Sequence, residues 1–387
     1  MNRRITRHIA PVAIVLTMLM TMLAGCQRKD LYLAQRGMLN VDVSVYDIQL
    51  DLLWGVDWSA QWQYLWDESL YGPIGYTEPS GVRANVYSID ENRVRSKYTT
   101  RNFGSDGGRV SLATKLTYDM MFHNNDTEYI LFATDDATYY YATTRSSTKA
   151  SYTRAYDNYN QPDQLFGVFL QNLYVSDDPE AYDKYIDDDG SIIYMYDVTA
   201  DLVPYTFIYL YQVMLLNNSD DAGQRVTGCE GITVSGRAGG VSLFDRITDS
   251  VRIVSVTQDD VKPIQTNREF ILPDGTQAVG DIFAARIMTW GLPGIDPLAQ
   301  VQTRNTRELS DSNYVGIGLT LRNGAVYPVQ CNVTEQMKQL PAGGVITLTI
   351  DTSEIPDSII GSKPQPGGGF DASVDNWENE IEADIVI

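Results

Sequence analysis

Residues 204–213 read Pro204-Tyr205-Thr206-Phe207-Ile208-Tyr209-Leu210-Tyr211-Gln212-Val213. Tyr205, Phe207, Tyr209, Tyr211 and Val213 alternate with Thr206, Ile208, Leu210 and Gln212. In an extended chain successive side chains point to opposite faces, so this stretch is apolar on both. Such a strand belongs at the centre of a covered sheet or between two domains. Downstream, short apolar runs at 231–234, 241–244, 251–256, 270–272, 278–290, 315–321, 326–333 and 345–350 are separated by glycine-containing turns. Upstream, Val41, Val43 and Val45 alternate with Asp42 and Ser44, and further strand-like runs lie at 48–53, 82–89 and 110–116. The polar cluster Asn124-Asn125-Asp126-Thr127-Glu128 reads as a turn between two strands.

Many short strands with turn signals and few helices predict an all-β chain of two tandem β-sandwiches. The domains are expected at 26–203 and 204–362, with residues 363–387 a Gly/Pro-rich linker and a last strand. In that last strand Ile381, Ala383, Ile385 and Ile387 alternate with Glu382, Asp384 and Val386.

The first 25 residues have a different character. Arg3, Arg4 and Arg7 precede an apolar run over 9–23 that ends in small residues, the pattern of a secretory signal peptide. The run is shorter than the ~20 residues that a spanning helix needs. Leu23-Ala24-Gly25-Cys26 resembles the bacterial lipobox, which implies cleavage before Cys26 and acylation of its thiol and new amino terminus. Several acyl chains hold a protein stably where one holds it marginally. No aspartate follows Cys26 directly, so the outer membrane, lipid-anchored with the body at the cell surface, is the expected location.

Charge and composition then exclude several functions. The chain has 29 Lys+Arg against 50 Asp+Glu, a net charge of −21, which becomes more negative when the signal arginines leave. Nucleic acid is therefore not an expected partner, nor is an anionic lipid surface, apart from the anchor. Removal of the signal leaves His123 as the only histidine, too little for Ser-His-Asp or multi-histidine zinc chemistry. No spacing among the acids selects a catalytic carboxylate pair, so a binding protein without a cofactor or metal is expected rather than an enzyme. The acidic run from Asp177 to Asp189 fails the EF-hand test, since Tyr185 and Tyr196 stand where acids are needed; a solvated hairpin loop is the simpler reading. Cys229 and Cys331 are either a disulfide or two buried thiols.

Two aromatic groups are candidate contact sites. Trp54, Trp58, Trp62 and Trp66 recur every four residues, and Ser59 is placed to cap a helix running to about residue 69. The stripe reads either as core packing or as a platform for stacking sugars. Six tyrosines lie in 135–160: Tyr139, Tyr140, Tyr141, Tyr152, Tyr156 and Tyr159. Tyr139 and Tyr141 among them are candidates for glycan contact, the alternative being a solvated sheet face.

Several pieces in order resemble the fimbrillin-like lipoproteins of Bacteroides-type bacteria. They are the lipobox followed by Arg28-Lys29-Asp30-Leu31, the strand into Asp57-Trp58, Asn125-Asp126-Thr127-Glu128, Tyr205-Thr206-Phe207, Val234-Ser235-Gly236, Thr289-Trp290-Gly291 and the acidic tail. The Trp-rich segment between Asp57 and Val82 departs from the pattern by its length. The resemblance implies transthyretin-like sandwiches and a role in fimbria assembly or adhesion, as an anchor, accessory or tip subunit. Other fimbrillin-like subunits are the implied partners, joined by strand addition with Ile381, Ala383, Ile385 and Ile387 as the donor face. A glycan-binding surface lipoprotein is the alternative. Asp249-Ser250-Val251 and Asp357-Ser358-Ile359 also fit the Asp-Ser-aliphatic pattern for O-glycosylation in such bacteria.

Overall fold

The computed structural model describes residues 38–45, 61–104, 107–135, 137–153, 156–186, 192–299 and 313–361. Cys26, Trp54, Trp58 and the tail residues Ile381, Ala383, Ile385 and Ile387 lie outside them. The chain is an all-β protein, as its patterning predicts, and its sheets pack as sandwiches.

One eight-stranded sheet makes up most of the first half. Its strands are β1 (Met38–Val45), β2 (Gly81–Ile89), β3 (Arg95–Gly104), β4 (Gly108–Ser111), β5 (Leu116–Asn124), β9 (Phe166–Val175), β10 (Asp183–Ile186) and β11 (Ile192–Pro204). They run in the order β3-β2-β5-β9-β11-β1-β4, with β10 paired to β11. β9 meets β11 only through Gly167 opposite Val203 and Phe166 opposite Pro204. The two halves of the sheet close on one core from either side of this narrow joint. Val82, Ala84 and Val86 of β2 and Met120 and Phe122 of β5 meet Val198, Ala200 and Leu202 of β11 there. A Cβ on Gly167 would stand 2.8 Å from the Phe122 carbonyl oxygen and 3.0 Å from the Tyr205 ring, so only glycine lets the strands meet.

The stretch at 204–213 becomes β12 (Phe207–Leu216), inside a sheet of order β18-β19-β12-β22. Its companions are β18 (Lys262–Ile271), β19 (Gln277–Thr289) and β22 (Gly344–Asp351). The opposing sheet has the order β21-β20-β15-β17-β8, from β21 (Val326–Asn332), β20 (Tyr314–Leu321), β15 (Val226–Ala238), β17 (Ile253–Gln258) and β8 (Asn158–Tyr159). Between the sheets lie Phe207, Tyr209, Tyr211, Val213 and Leu215, packed on Ile232, Val234, Val256, Ile317, Leu319 and Ile346. The other face of β12, with Ile208, Leu210 and Met214, is also buried, under Trp62, Tyr64, Ile74 and Tyr76. A segment of the first half therefore supplies the second cover that the two-faced pattern requires.

The halves interlock in two further places. β8 adds in parallel to β17, and β6 (Leu131–Thr134), β7 (Tyr140–Thr143) and β16 (Gly240–Ser242) form a small sheet drawn from both halves. A two-stranded ribbon, β13 (Ser219–Asp220) and β14 (Gly223–Gln224), completes the strands described. β11 ends at Pro204 and β12 begins at Phe207. On the outer edge of β22 Gln336 pairs with one residue: its Nε2 donates to the Thr347 carbonyl at 3.1 Å and its Oε1 accepts from the Thr347 N–H at 3.2 Å. Among the described residues no helix is long and apolar enough to cross a membrane.

Candidate binding surfaces

Residues 61–67 do not form the helix that the tryptophan spacing predicts; only Glu68–Tyr71 is helical, capped by Asp67. The extended segment is instead bound by glutamine amides. The Gln63 N–H donates to Gln212 Oε1 at 2.8 Å, and Gln212 Nε2 donates to the Gln61 carbonyl and to Thr347 Oγ1, both at 2.8 Å. The Gln63 side chain pairs in turn with the backbone of Ile271, and Gln265 with the backbone of Leu65. Backbone groups that a helix would satisfy internally are satisfied across the sheet. Trp62, Tyr64 and Trp66 then alternate at period two toward the sheet, with Trp62 and Trp66 half-buried and Tyr64 buried. Lys262 Nζ lies 5.4 Å from the Trp66 ring centroid and 5.0 Å from that of Tyr71. The indole N–H of Trp66 donates to the Gly72 carbonyl at 2.9 Å. Trp62 and Trp66 are packing groups in this arrangement.

Of the six tyrosines at 135–160, only Tyr139 is exposed. Its ring stacks on Tyr141 with centroids 5.8 Å apart and planes at 10°. Tyr141 donates to Asp249 Oδ2 at 2.6 Å and accepts from the Arg252 guanidinium at 3.3 Å. Burial, then the Asp249 carboxylate, push the Tyr141 phenol above its usual range, which keeps it a neutral donor. The loop before the pair is held by Asp135, whose carboxylate accepts from the Thr138 hydroxyl and from the N–H groups of Ala137, Thr138 and Tyr139. Those bonds hold the Asp135 carboxyl well below the usual carboxylate range. Tyr139 is therefore presented on a fixed support, the arrangement a stacking contact needs.

The next residue, Tyr140, points the other way and meets His123. The His123 Nδ1 is 2.7 Å from the Asn124 carbonyl and its Nε2 is 2.6 Å from the Tyr140 hydroxyl. Arg95 is a junction residue that sequence reasoning missed. Its Nε donates to Asp119 Oδ2 at 2.6 Å, and its guanidinium lies 4.9 Å from the rings of both Phe169 and Phe244. No local pattern announces it, because its three partners come from separated places in the chain.

Cys229 and Cys331 are both free. Cys229 stands opposite Leu319, and Leu319 opposite Tyr327, four positions from Cys331 along β21. Two strand spacings and four residue rises separate them by on the order of 15 Å, against the ~7 Å Cα limit of a disulfide. This corrects the disulfide alternative. Among the described residues no group of three His, Cys, Asp or Glu is gathered for a metal. Ser250 and Ser358 are exposed.

No protein-family model matches the chain, and no curated protein matches it. Its structure is similar to that of a candidate adhesin from Bacteroides ovatus, at 13% identity over 88% of this chain and 98% of that one, with a TM-score of 0.46. It is also similar to the fimbrial anchor protein Mfa2 from Porphyromonas gingivalis, at 12% identity over 81% and 90% of the two chains and a TM-score of 0.35. A fimbrial assembly protein from Parabacteroides distasonis is similar at 10% identity over 83% and 93%, with a TM-score of 0.29. At these identities the likeness is one of overall build. The chain is thus similar to adhesins and fimbrial proteins of the same bacterial group that its sequence resembles.

Proposed function

We propose that this protein is a lipid-anchored outer-membrane subunit of a surface fimbria or adhesive assembly, as an anchor, accessory or tip subunit. Cys26 carries the acyl anchor, and residues 381–387 are donated to another fimbrillin-like subunit as an added strand, with Ile381, Ala383, Ile385 and Ile387 as the inserted face. The activity is binding, without catalysis or a cofactor.

One observation supports this reading: the core of the second sandwich is filled by residues that precede the tail. Ile355 and Ile360 seat in its core, Gln336 pairs with Thr347 on the edge of β22, and the described chain reaches Gly361. On this reading the apolar face of the tail is available to a partner. Each isoleucine it buried in a partner would contribute roughly 1.5 to 3 kcal/mol.

The test is a crosslinked pull-down of the tagged, acylated protein from its own cells, with and without residues 370–387. Recovery of other fimbrillin-like subunits that depends on the tail supports the proposal. Recovery of the protein alone in both cases contradicts it. A glycan-binding role rests on the exposed Tyr139 stacked on Tyr141. Retention on a polysaccharide column that is lost in Tyr139→Ala would move that reading to first place.

A further inference from the structure

The series of side chains that faces the first core runs on past the place where the core stops. Along β11, Leu202, Ala200 and Val198 are buried in that core. In the alternation of a strand the same face continues through Tyr196, Tyr194 and Ile192. Here the cover ends: Tyr196 is 47% exposed and Ile192 45%. β10 widens this face, since Ile186 stands opposite Ile192 and Lys184 opposite Tyr194, and Ile186 is 75% exposed. The Tyr182 ring meets that of Tyr196 edge-on with centroids 6.4 Å apart, and Lys184 Nζ lies 5.9 Å from the Tyr194 ring centroid. Asp183 stands opposite Met195, on the other face. The β10–β11 hairpin therefore carries an aromatic and aliphatic face with a cation and no acid beyond the end of the sandwich.

Other apolar side chains are exposed at the same end. β11 runs from here to Pro204 at the junction, 13 residues or about 40 Å at ~3.3 Å per residue. β9 ends here at Val175, with Tyr174 exposed before it, and β5 begins here with exposed Leu116 opposite Val175. Val94 is exposed just before β3, whose first residue stands opposite Ile89 at the end of β2. Exposed apolar groups gathered in one place mark a contact surface.

The entry point of the chain indicates what that surface meets. β1 is parallel to β11, with Met38 opposite Met195, so the chain enters the fold at this same end. Cys26 precedes Met38 by 12 positions, a tether of at most about 40 Å at ~3.5 Å per residue. A bilayer that holds acyl chains on Cys26 is thus kept beside this end at the high effective concentration of a short tether. The composition suits such a neighbour. Tyrosine rings sit at headgroup level, each with an apolar body and a wet hydroxyl, and a lysine stem lies along apolar surface with its ammonium in water. Asp187, Asp188 and Asp189 follow Ile186 in sequence and are too costly for the hydrocarbon layer. The net charge of −21 also disfavours an anionic surface. Contact is therefore shallow and made with neutral headgroups.

We propose that the open face of the β10–β11 hairpin, with Ile186, Ile192, Tyr194 and Tyr196, seats in the headgroup layer of the bilayer that holds the anchor on Cys26. The proposal rests on the reading of Cys26 as acylated and adds the orientation of the body, which stands on the membrane by this end.

The test uses the full acylated mature chain with Ile186→Cys, labelled with a nitrobenzoxadiazole fluorophore at pH 7.5, where the raised pKa values of Cys229 and Cys331 keep them unlabelled. It is bound to vesicles of phosphatidylcholine and phosphatidylethanolamine that contain a nitroxide-labelled lipid. The nitroxide should quench the label at 186 at least twofold. The same label on Val279→Cys, exposed beside the last residues of β12, should keep its emission. Adding Ile192→Asp and Tyr196→Asp should restore the emission of the label at 186, with the fold unchanged by circular dichroism. Quenching at 186 no greater than at 279, or quenching that persists in the Asp variant, overturns the proposal. A blue shift at 186 without lipid that grows with chain concentration assigns the face to a second copy and overturns it as well. If the acylated chain does not float with the vesicles, the anchor reading fails first and this one falls with it.

Discussion

The Tyr140 hydroxyl donates a hydrogen bond of 2.6 Å to Nε2 of His123. The direction follows from the other ring nitrogen: Nδ1 faces the Asn124 carbonyl at 2.7 Å, a group that only accepts, so Nδ1 carries the proton and Nε2 is the acceptor. Asn85 Nδ2 donates to the Tyr140 oxygen in turn at 3.2 Å. The site is built for neutral imidazole, and burial lowers the pKa of His123 to about 4.

The pH dependence follows from that depression. Unfolded histidine titrates near 6.5, so between about 6.5 and 4 the unfolded chain binds a proton that the folded chain refuses. Stability is full above pH 6.5 and falls as the pH drops to about 4, by about 3 kcal/mol at ~1.4 kcal/mol per pKa unit. Urea denaturation at pH 7 and pH 4.5 should show a steeper loss for the parent chain than for His123→Gln. Equal slopes would contradict this account.

Gln212 should be the main fastener of the segment at 61–67. It is buried and bonds the Gln63 N–H, the Gln61 carbonyl and Thr347. Gln212→Leu leaves two backbone groups without partners and should cost about 2 to 4 kcal/mol. Tryptophan emission should also shift to the red as Trp62 and Trp66 gain solvent. An unchanged spectrum would mean that the rings hold the segment without the amide.

This segment also shows how far the sequence could be read. β12 was legible because its alternation is long and apolar on both faces. The cover over one of those faces was not. Trp62 and Trp66 at four-residue spacing fit a helix, yet Trp62, Tyr64 and Trp66 at two-residue spacing fit an extended chain equally well. The arbiter was Gln212, 146 or more positions away, which no local window contains. β3 escaped for the opposite reason: on an open edge exposed residues occur on both faces, so no alternation remains. At the contact surfaces, the contrast between exposed Tyr139 and buried Tyr140 depends on which strand face meets the core. Composition alone does not say.

Arg237 is fully buried, and its guanidinium lies 5.4 Å from the centroid of Tyr209. The Tyr211 hydroxyl lies beside it, yet none of its three nitrogens makes a hydrogen bond of normal geometry among the described residues. An uncompensated buried charge costs stability that an apolar side chain of similar volume does not. Arg237→Met should therefore raise the unfolding free energy by about 1 to 4 kcal/mol. A fall of the midpoint in urea would contradict that expectation.

The two thiols should be free but slow to react. Burial pushes Cys229 up to about 12 and Cys331 up to about 11, leaving little thiolate at neutral pH. Alkylation at pH 7.5 should leave the mass of the native chain carrying Cys26→Ser, which lacks the anchor thiol, nearly unchanged. The same reagent in denaturant without reductant should add two groups, one at Cys229 and one at Cys331. No added mass in denaturant would establish a disulfide.

The central claim is that the body is complete without its tail, and the most direct test is equilibrium unfolding of the mature chain with and without residues 370–387. The account predicts unfolding free energies that agree within about 0.5 kcal/mol, the size of a surface change that touches nothing structural. A deletion that unfolds the second sandwich, or costs several kcal/mol, would show that the tail folds back onto its own body and is not available to a partner.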